Sequence, residues 1–398
     1  MSYTISNPQL IIAVLLTVEL GLVAISGSKR FGFLFQFLPS VFWIYFLPMV
    51  LSTLKIVDRS SPVYSEITSL VLPAALFMLL LAVDLGAIVR LGKQAIGMFF
   101  VGAFGIVLGM IVAFSVFRPW IGGEYWSGFA ALSGSWTGGS ANLVAVKEAF
   151  QTPQVVFAPI VIVDTIVPYV WMAILLSMVR FQDRFDRWNG CDRTILERLR
   201  KREKEPPKDE NARFLNWIPS ILRRPVVAMV LLAAAYGVAQ FSHFIAGRIP
   251  SVKGFSSLTW VIVISSSLGL ICSFVRVRSY DRLSQKWGYV LLYLVLSAIG
   301  AQADLSQFGS MYLLIIAGFM VVLIHAGCLF VATRIFKLPL FLAVTASQAN
   351  IGGVASAPVV AESYLPGFAS VGLLLAILGN IIGTYVGILT GTILRIFH

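Results

Sequence analysis

Charge is what this 398-residue chain has least of: Asp, Glu, Lys and Arg together make up 12% of it, against 58% hydrophobic residues. A soluble domain carries roughly a quarter charged residues. A chain this poor in charge, with a mean hydropathy of +0.88, has lipid for its solvent. Soluble enzymes, nucleic-acid binders and secreted disulfide scaffolds are excluded. Cysteine is equally sparse, and Cys191, Cys272 and Cys328 share no short spacing, so neither a disulfide framework nor a thiolate metal site follows. Catalytic signatures are missing too. There is no HExxH or GxSxG, and GAIVRLGK at 86–93 has five residues between its glycines and Gln94 where a phosphate loop needs Ser or Thr. The chain is expected to be no enzyme, to carry no cofactor and to hydrolyse no ATP. The opening MSYTISNPQLIIAVLLTVEL lacks a basic stretch and a small-residue cleavage site and keeps Glu19, so it reads as a retained first span.

What the chain does have is long apolar runs. Bounded by charges or by Pro and Gly, they fall at 9–27, 33–55, 66–84, 95–118, 127–149 and 154–179, then at 224–246, 257–275, 287–305, 310–334, 340–363 and 366–394. The expected fold is an all-α polytopic membrane protein: a first transmembrane repeat at 1–180, a basic linker at 181–223 and a second repeat at 224–398. The linker holds RLRKREKEPPKDENAR, which cannot pack in a core, and 13 of the 30 Lys and Arg lie between Arg180 and Arg224. Such clustering marks a cytoplasmic loop of a protein in the cell inner (plasma) membrane, with no nucleic-acid partner.

The halves look like copies of each other. An offset of 214 lays Ser133, Gly138, Gly139, Ala141, Val146 and Glu148 on Ser347, Gly352, Gly353, Ala355, Val360 and Glu362. At 216 Asp164 falls on Asn380, and at 220 Asp84 falls on Asp304. Within each half one segment is odd. Residues 127–149 and 340–363 interrupt themselves with Gly, Ser, Thr and Asn, which makes each a poor lipid-facing span. Broken backbone at membrane depth is tolerated where protein buries it or where it lines a watery cavity, so each is expected to be a re-entrant hairpin or a discontinuous helix. If both return to the side they entered from, the repeats are inverted, with about five spans each, and 23 basic residues face the cytoplasm against 7 outside. If both cross, another assignment gives the same count with parallel repeats.

These two segments carry the candidate chemistry. Thr137, Gly138, Gly139, Ser140 and Asn142, with Ser347, Gln348, Asn350, Gly352 and Gly353, combine freed backbone with small hydroxyl and amide groups. Half-helix N-termini favour an anion there, while unwound carbonyls and side-chain oxygens suit Na⁺. Close helix packing by small residues is the competing explanation. Asp164 sits inside a 26-residue apolar run with no other charge. An ionised carboxylate at such a place costs roughly 2.5 to 3.5 kcal/mol, so it is expected to face a cation, a cavity or a proton path. With Thr165 and its repeat mate Asn380 it is the candidate cation-coupling group and the candidate Na⁺ ligand. His325, Glu148 and Glu362 are candidates for a proton path or gate. Asp84 and Asp304 end their spans and are expected to cap or to face water. Trp120, Tyr125, Trp126, Trp287 and Tyr289 read as interfacial belts.

SGSWTGGSANLVAV and ASQANIGGVASAPVVAES, followed by VDTIVPYVW and LGNIIGTYVG, resemble the membrane family known as domain of unknown function 819 over nearly the whole chain. That family is similar to the sodium/proton-antiporter, bile-acid-symporter and glutamate- or citrate-sodium-symporter superfamily. The resemblance implies inverted five-span repeats, a moving core with two broken segments, and a homodimer, with Gly138, Gly139, Ser140, Asn142, Asn350, Gly352 and Gly353 at the core. The function expected is secondary active transport of a small anionic organic solute, coupled to Na⁺ or H⁺, by alternating access. A cation/proton exchanger with no organic solute, and an intramembrane enzyme using His325 with Asp164, stand as the alternatives.

Overall fold

The computed structural model describes residues 4–26, 35, 40–191, 220–250, 257–275, 281–303 and 311–397, the side chains of 220–224 and 275 apart. Asp304 and most of the basic linker lie outside them. Among the described residues the helices are α1 (Pro8–Ser26), α2 (Ser40–Thr53), α3 (Val63–Leu81), α4 (Leu85–Arg90), α5 (Lys93–Ile121), α6 (Trp126–Gly138), α7 (Ser140–Ala149), α8 (Gln154–Ser177) and α9 (Gln182–Asn189). The second half adds α10 (Ser220–Ala246), α11 (Ser257–Cys272), α12 (Asp281–Ala301), α13 (Met311–Ile335), α14 (Leu340–Ile351), α15 (Gly353–Tyr364) and α16 (Ala369–Ile396).

The protein is an all-α polytopic membrane protein. Seven of the described helices are long and apolar enough to span a bilayer: α1, α3, α5, the stretch Gln154–Asn189, Pro225–Ala246 of α10, α13 and α16. Their ends follow local chemistry. Pro8 opens α1, where its missing N–H is no loss, and the Asn7 carboxamide oxygen accepts from the amides of Gln9 (2.9 Å) and Leu10 (3.3 Å). Asp84 caps α4 by accepting from the Ala87 amide at 2.9 Å, the capping role expected of it.

The described chain divides into two compact units that cut across the halves. The first unit takes Met1–Val83, Glu148–Thr165 and Asp209–Gly309. In it α3 packs against α10, α11 and α12, while α2 and α1 pack against α12 and each other. Glycines set the spacing: a Cβ on Gly269 of α11 would lie 2.7 Å from the Phe77 carbonyl oxygen, and one on Gly288 of α12 would lie 2.9 Å from Leu79 Cγ. With no lipid-driven hydrophobic attraction between spans, close backbone approach and hydrogen bonds hold them. The Ser284 hydroxyl donates to the Met78 carbonyl at 2.8 Å, and the Ser297 hydroxyl to that of Ile44 at 3.3 Å.

The second unit takes Asp84–Lys147, Ile166–Lys208 and Ser310–His398. Here α5 lies along α13 and α6 along α16. Residues 182–189, the opening of the stretch expected to be solvated linker, form α9 and dock on the α13–α14 connection. The Asp186 carboxylate accepts from the Leu340 amide at 2.9 Å and so caps α14, and the Asn189 amide donates to the carbonyls of Thr333 (3.1 Å) and Leu338 (2.8 Å). Arg334 lies over the Trp188 ring at 4.6 Å.

Candidate functional site: two glycine-broken hairpins

Each odd segment is two helices joined at a glycine with a left-handed backbone. Gly139 has φ +80° between α6 and α7, and Gly353 has φ +64° at the start of α15. A side chain there would cost about 1–2 kcal/mol, and these two positions are the duplicated glycines. The half-helices are 13, 10, 12 and 12 residues long, hence about 15–20 Å each, half of a hydrocarbon core.

Both segments fold back. A Cβ on Gly134 would lie 2.9 Å from Val146 Cγ2 and 3.1 Å from the Asn142 carbonyl oxygen. In a straight helix residues 134 and 146 would stand about 18 Å apart. In the other segment the Gln348 amide donates to the Ser356 hydroxyl at 2.7 Å, across eight residues that a straight helix would separate by about 12 Å. Gly134 and Asn142 map onto Gln348 and Ser356 at the offset of 214. The same pair of positions therefore closes both hairpins, once through an absent side chain and once through a hydrogen bond.

The first hairpin is bound to α16. Gly379, Gly383 and Gly387 run down one face of α16 against Ala130, Gly134, Thr137 and Gly138 of α6: a Cβ on Gly383 would lie 2.7 Å from Gly138 Cα, and one on Gly387 3.0 Å from Gly134 Cα. The competing explanation, small-residue packing, thus holds at Gly138. The Asn142 amide donates to the carbonyls of Gly138 and Asn380 (3.4 Å), and its oxygen accepts from the Thr384 hydroxyl at 2.6 Å. All of Asn142 is engaged by the protein itself. Asn380 Oδ1 would lie 3.5 Å from a Cβ on Gly139, and Ser140 is half-buried at the head of α7.

The second hairpin meets α5, α8 and α13. The Trp171 indole donates to Ser347 Oγ at 2.9 Å, His325 Nε2 lies 2.9 Å from the same oxygen, and His325 Nδ1 lies 2.8 Å from the Gly102 carbonyl oxygen. A carbonyl only accepts, so Nδ1 carries the hydrogen. With neutral imidazole, Nε2 then accepts from the Ser347 hydroxyl, and every group in the chain is satisfied. The Asn350 amide donates to the carbonyls of Phe99 (3.2 Å) and Ala346 (2.9 Å). Gly102 makes room for this cluster: a Cβ on it would lie 2.6 Å from Asn350 Nδ2 and 3.0 Å from His325 Cε1.

Three oxygens near the breaks have no hydrogen-bond partner although their residues are buried: Thr137 Oγ1, Gln348 Oε1 and Asn350 Oδ1. An orphaned buried acceptor costs about 1–3 kcal/mol. By their chemistry such oxygens attract cations and hydrogen-bond donors, while the leading N–H groups of α7 and α15 attract anions. Glu362 is exposed and accepts from the amides of Gly367 (3.0 Å) and Ala369 (3.2 Å), which caps the entry to α16. Asp164, Thr165 and Glu148 belong to the first unit. There Asp164 is half-buried and engaged within the protein, as is Glu148, while the Thr165 hydroxyl donates to the Val161 carbonyl at 2.9 Å. Among the described residues no three His, Cys, Asp or Glu gather as a metal site. Trp171, Thr384 and Ser356 were not singled out from sequence. Of these Thr384 carried a signal, as a hydroxyl four residues after Asn380 on one helix face, and Ser356 carried one as the repeat mate of Asn142.

Comparison with known proteins agrees with this membrane architecture. The uncharacterized membrane protein YjcL of Bacillus subtilis (strain 168) is 25% identical over 357 residues, 86% of each chain. The profile of the family described as protein of unknown function (DUF819) matches residues 12–397, and the chain belongs to that family.

Proposed function

We propose that the protein is a secondary active transporter for a small anionic organic solute, coupled to Na⁺ or H⁺. The observation that carries this reading is the pair of glycine-broken hairpins with buried, unpartnered oxygens beside their breaks. Paired half-helices from repeated halves are how alternating-access folds present helix termini and free carbonyls to solute and ion. In this reading the repeats are inverted. The packing supports the repeat itself: exchanging first-half helices for second-half ones turns the α2–α12 contact into α11–α3, and both occur. Thr137, Ser140, Gln348, Asn350, Gly352 and Gly353 line the solute site, with Gly139 as the hinge of the first tip. Asp164, with Thr165 beside it, is the cation-coupling group of the first unit, and Asn380 belongs to the solute-binding tip of the second. The membrane is the plasma membrane, the basic loop is cytoplasmic, and the working form is a homodimer.

Counterflow of labelled mono- and dicarboxylates in proteoliposomes tests the class of activity. Asp164→Asn is expected to fold, reach the membrane and lose cation-dependent flux, because each coupled ligand must raise the other's affinity by the same factor. Unchanged cation dependence in that variant would remove Asp164 from the mechanism. The exchanger reading has its own support in the chemistry of the orphans, which are oxygens and so attract cations. A melting response to Na⁺ or pH with none to any carboxylate would favour it.

A further inference from the structure

The first unit holds a second intramembrane acid. On α1 the buried residues are Ile11, Leu15, Glu19 and Leu22, a single stripe at helical spacing, while Leu10, Leu16, Leu20 and Val23 point outward. Glu19 lies in the middle of that stripe with 1% of its surface exposed, and neither of its oxygens has a hydrogen-bond partner. The stripe packs against α2 and α12. From α12 the phenol of Tyr293 lies within electrostatic reach of the carboxyl, and Tyr289 pairs with Tyr293 at 6.0 Å between ring centres. Lys286 is a further turn away, about 10 Å of axis from Tyr293. From α2 the titratable side chain is Tyr45, whose ring meets Phe157 edge-on at 6.0 Å. No basic group on these helices pairs with Glu19.

An ionised carboxylate this deeply buried, with no basic partner and no donor from the protein, would carry the full cost of a charge at membrane depth. A bare Na⁺ would need several hard oxygens around it, and no other oxygen is hydrogen-bonded to Glu19. We propose that Glu19 is a proton-binding site of the first unit, occupied in the conformation described and emptied only when α1 parts from α2 and α12 enough to admit water. The site itself is independent of the transporter reading. Its consequence for transport, a proton taken up in one conformation and released in another, rests on that reading.

Infrared difference spectra of wild type against Glu19→Gln in proteoliposomes, taken across neutral and mildly alkaline pH, read the protonation state directly. The proposal expects a free-acid carbonyl band at neutral pH that Glu19→Gln removes. Carboxylate bands in its place, or loss of the acid band on adding Na⁺ at constant pH, overturn it. Glu19→Leu provides a folded control: removing an unpaired polar group is expected to raise the melting temperature at neutral pH, and a fall overturns the claim that the carboxyl is unpartnered. For transport, Glu19→Gln mimics the occupied state and is expected to flatten the pH profile while flux at low pH stays near wild type. If the infrared result holds and no variant moves any solute, the proton site stands and the transporter reading fails.

Discussion

The two hairpins break at matching glycines and differ in how their polar side chains are used. In the first, Gly134 and Gly138 bring α6 against α16, and the Asn142 amide is fully engaged by Gly138, Asn380 and Thr384. In the second, the position matching Gly134 is Gln348, whose amide holds Ser356 while its oxygen stays unpartnered, and Asn350 likewise donates twice and accepts nothing. Both segments fold back at the glycines, and their side chains differ: the first packs closely on α16, while the second leaves two amide oxygens unfilled. Polarity near a break is thus no guide to function by itself. What separates the copies is the carboxamides: Asn142 is satisfied at both ends, whereas Gln348 and Asn350 each keep an unpartnered oxygen, and the unpartnered oxygen of the first hairpin is the Thr137 hydroxyl.

Substitutions can break this contrast, and the largest effect is expected where the first hairpin touches α16. Gly383→Val drives a side chain into Gly138 and Asn142 and is expected to cost about 3 kcal/mol, seen as loss of monodisperse protein and a steep fall in melting temperature. Gly353→Ala meets nothing within 4 Å, so backbone strain alone should cost about 1 kcal/mol. Asn142→Ala strands the Thr384 hydroxyl and two carbonyls, an expected loss of about 2 kcal/mol. Asn350→Ala also removes an orphaned oxygen, so its stability loss should be nearer 1 kcal/mol, while ligand-induced thermal stabilisation by Na⁺ or carboxylates disappears. Equal melting curves for Asn142→Ala and Asn350→Ala would erase the distinction. The smallest effect is expected from Thr137→Val, which keeps the shape and deletes one unpartnered hydroxyl: stability within about 0.5 kcal/mol of wild type, with weaker ligand response.

Much of this was legible before the structure. The breaks fall on the duplicated glycines because only glycine takes a positive φ without strain, and a positive φ inside an apolar helix stops it wherever it occurs. One helix end also followed from capping, at Asp84. The partners were not legible. That Asn142 would be bound by Thr384, and Ser347 by His325 and Trp171, depends on which helix faces which hairpin, and periodicity within a segment carries no such information. His325 was expected as a proton-path candidate; its hydrogen bonds to Gly102 and Ser347, which tie α13 to α5 and to the second hairpin, were not legible. Glu362 was expected near a gate, and it caps α16.

The most direct measurement of the central claim is gradient-driven uptake of labelled mono- and dicarboxylates into proteoliposomes, comparing wild type with Gln348→Leu and Asn350→Ala after each variant has been shown to melt cooperatively. The account predicts uptake by wild type under an inward Na⁺ or H⁺ gradient, abolished in both variants. Uptake by the variants at the wild-type rate, or none by wild type under either gradient, would contradict it.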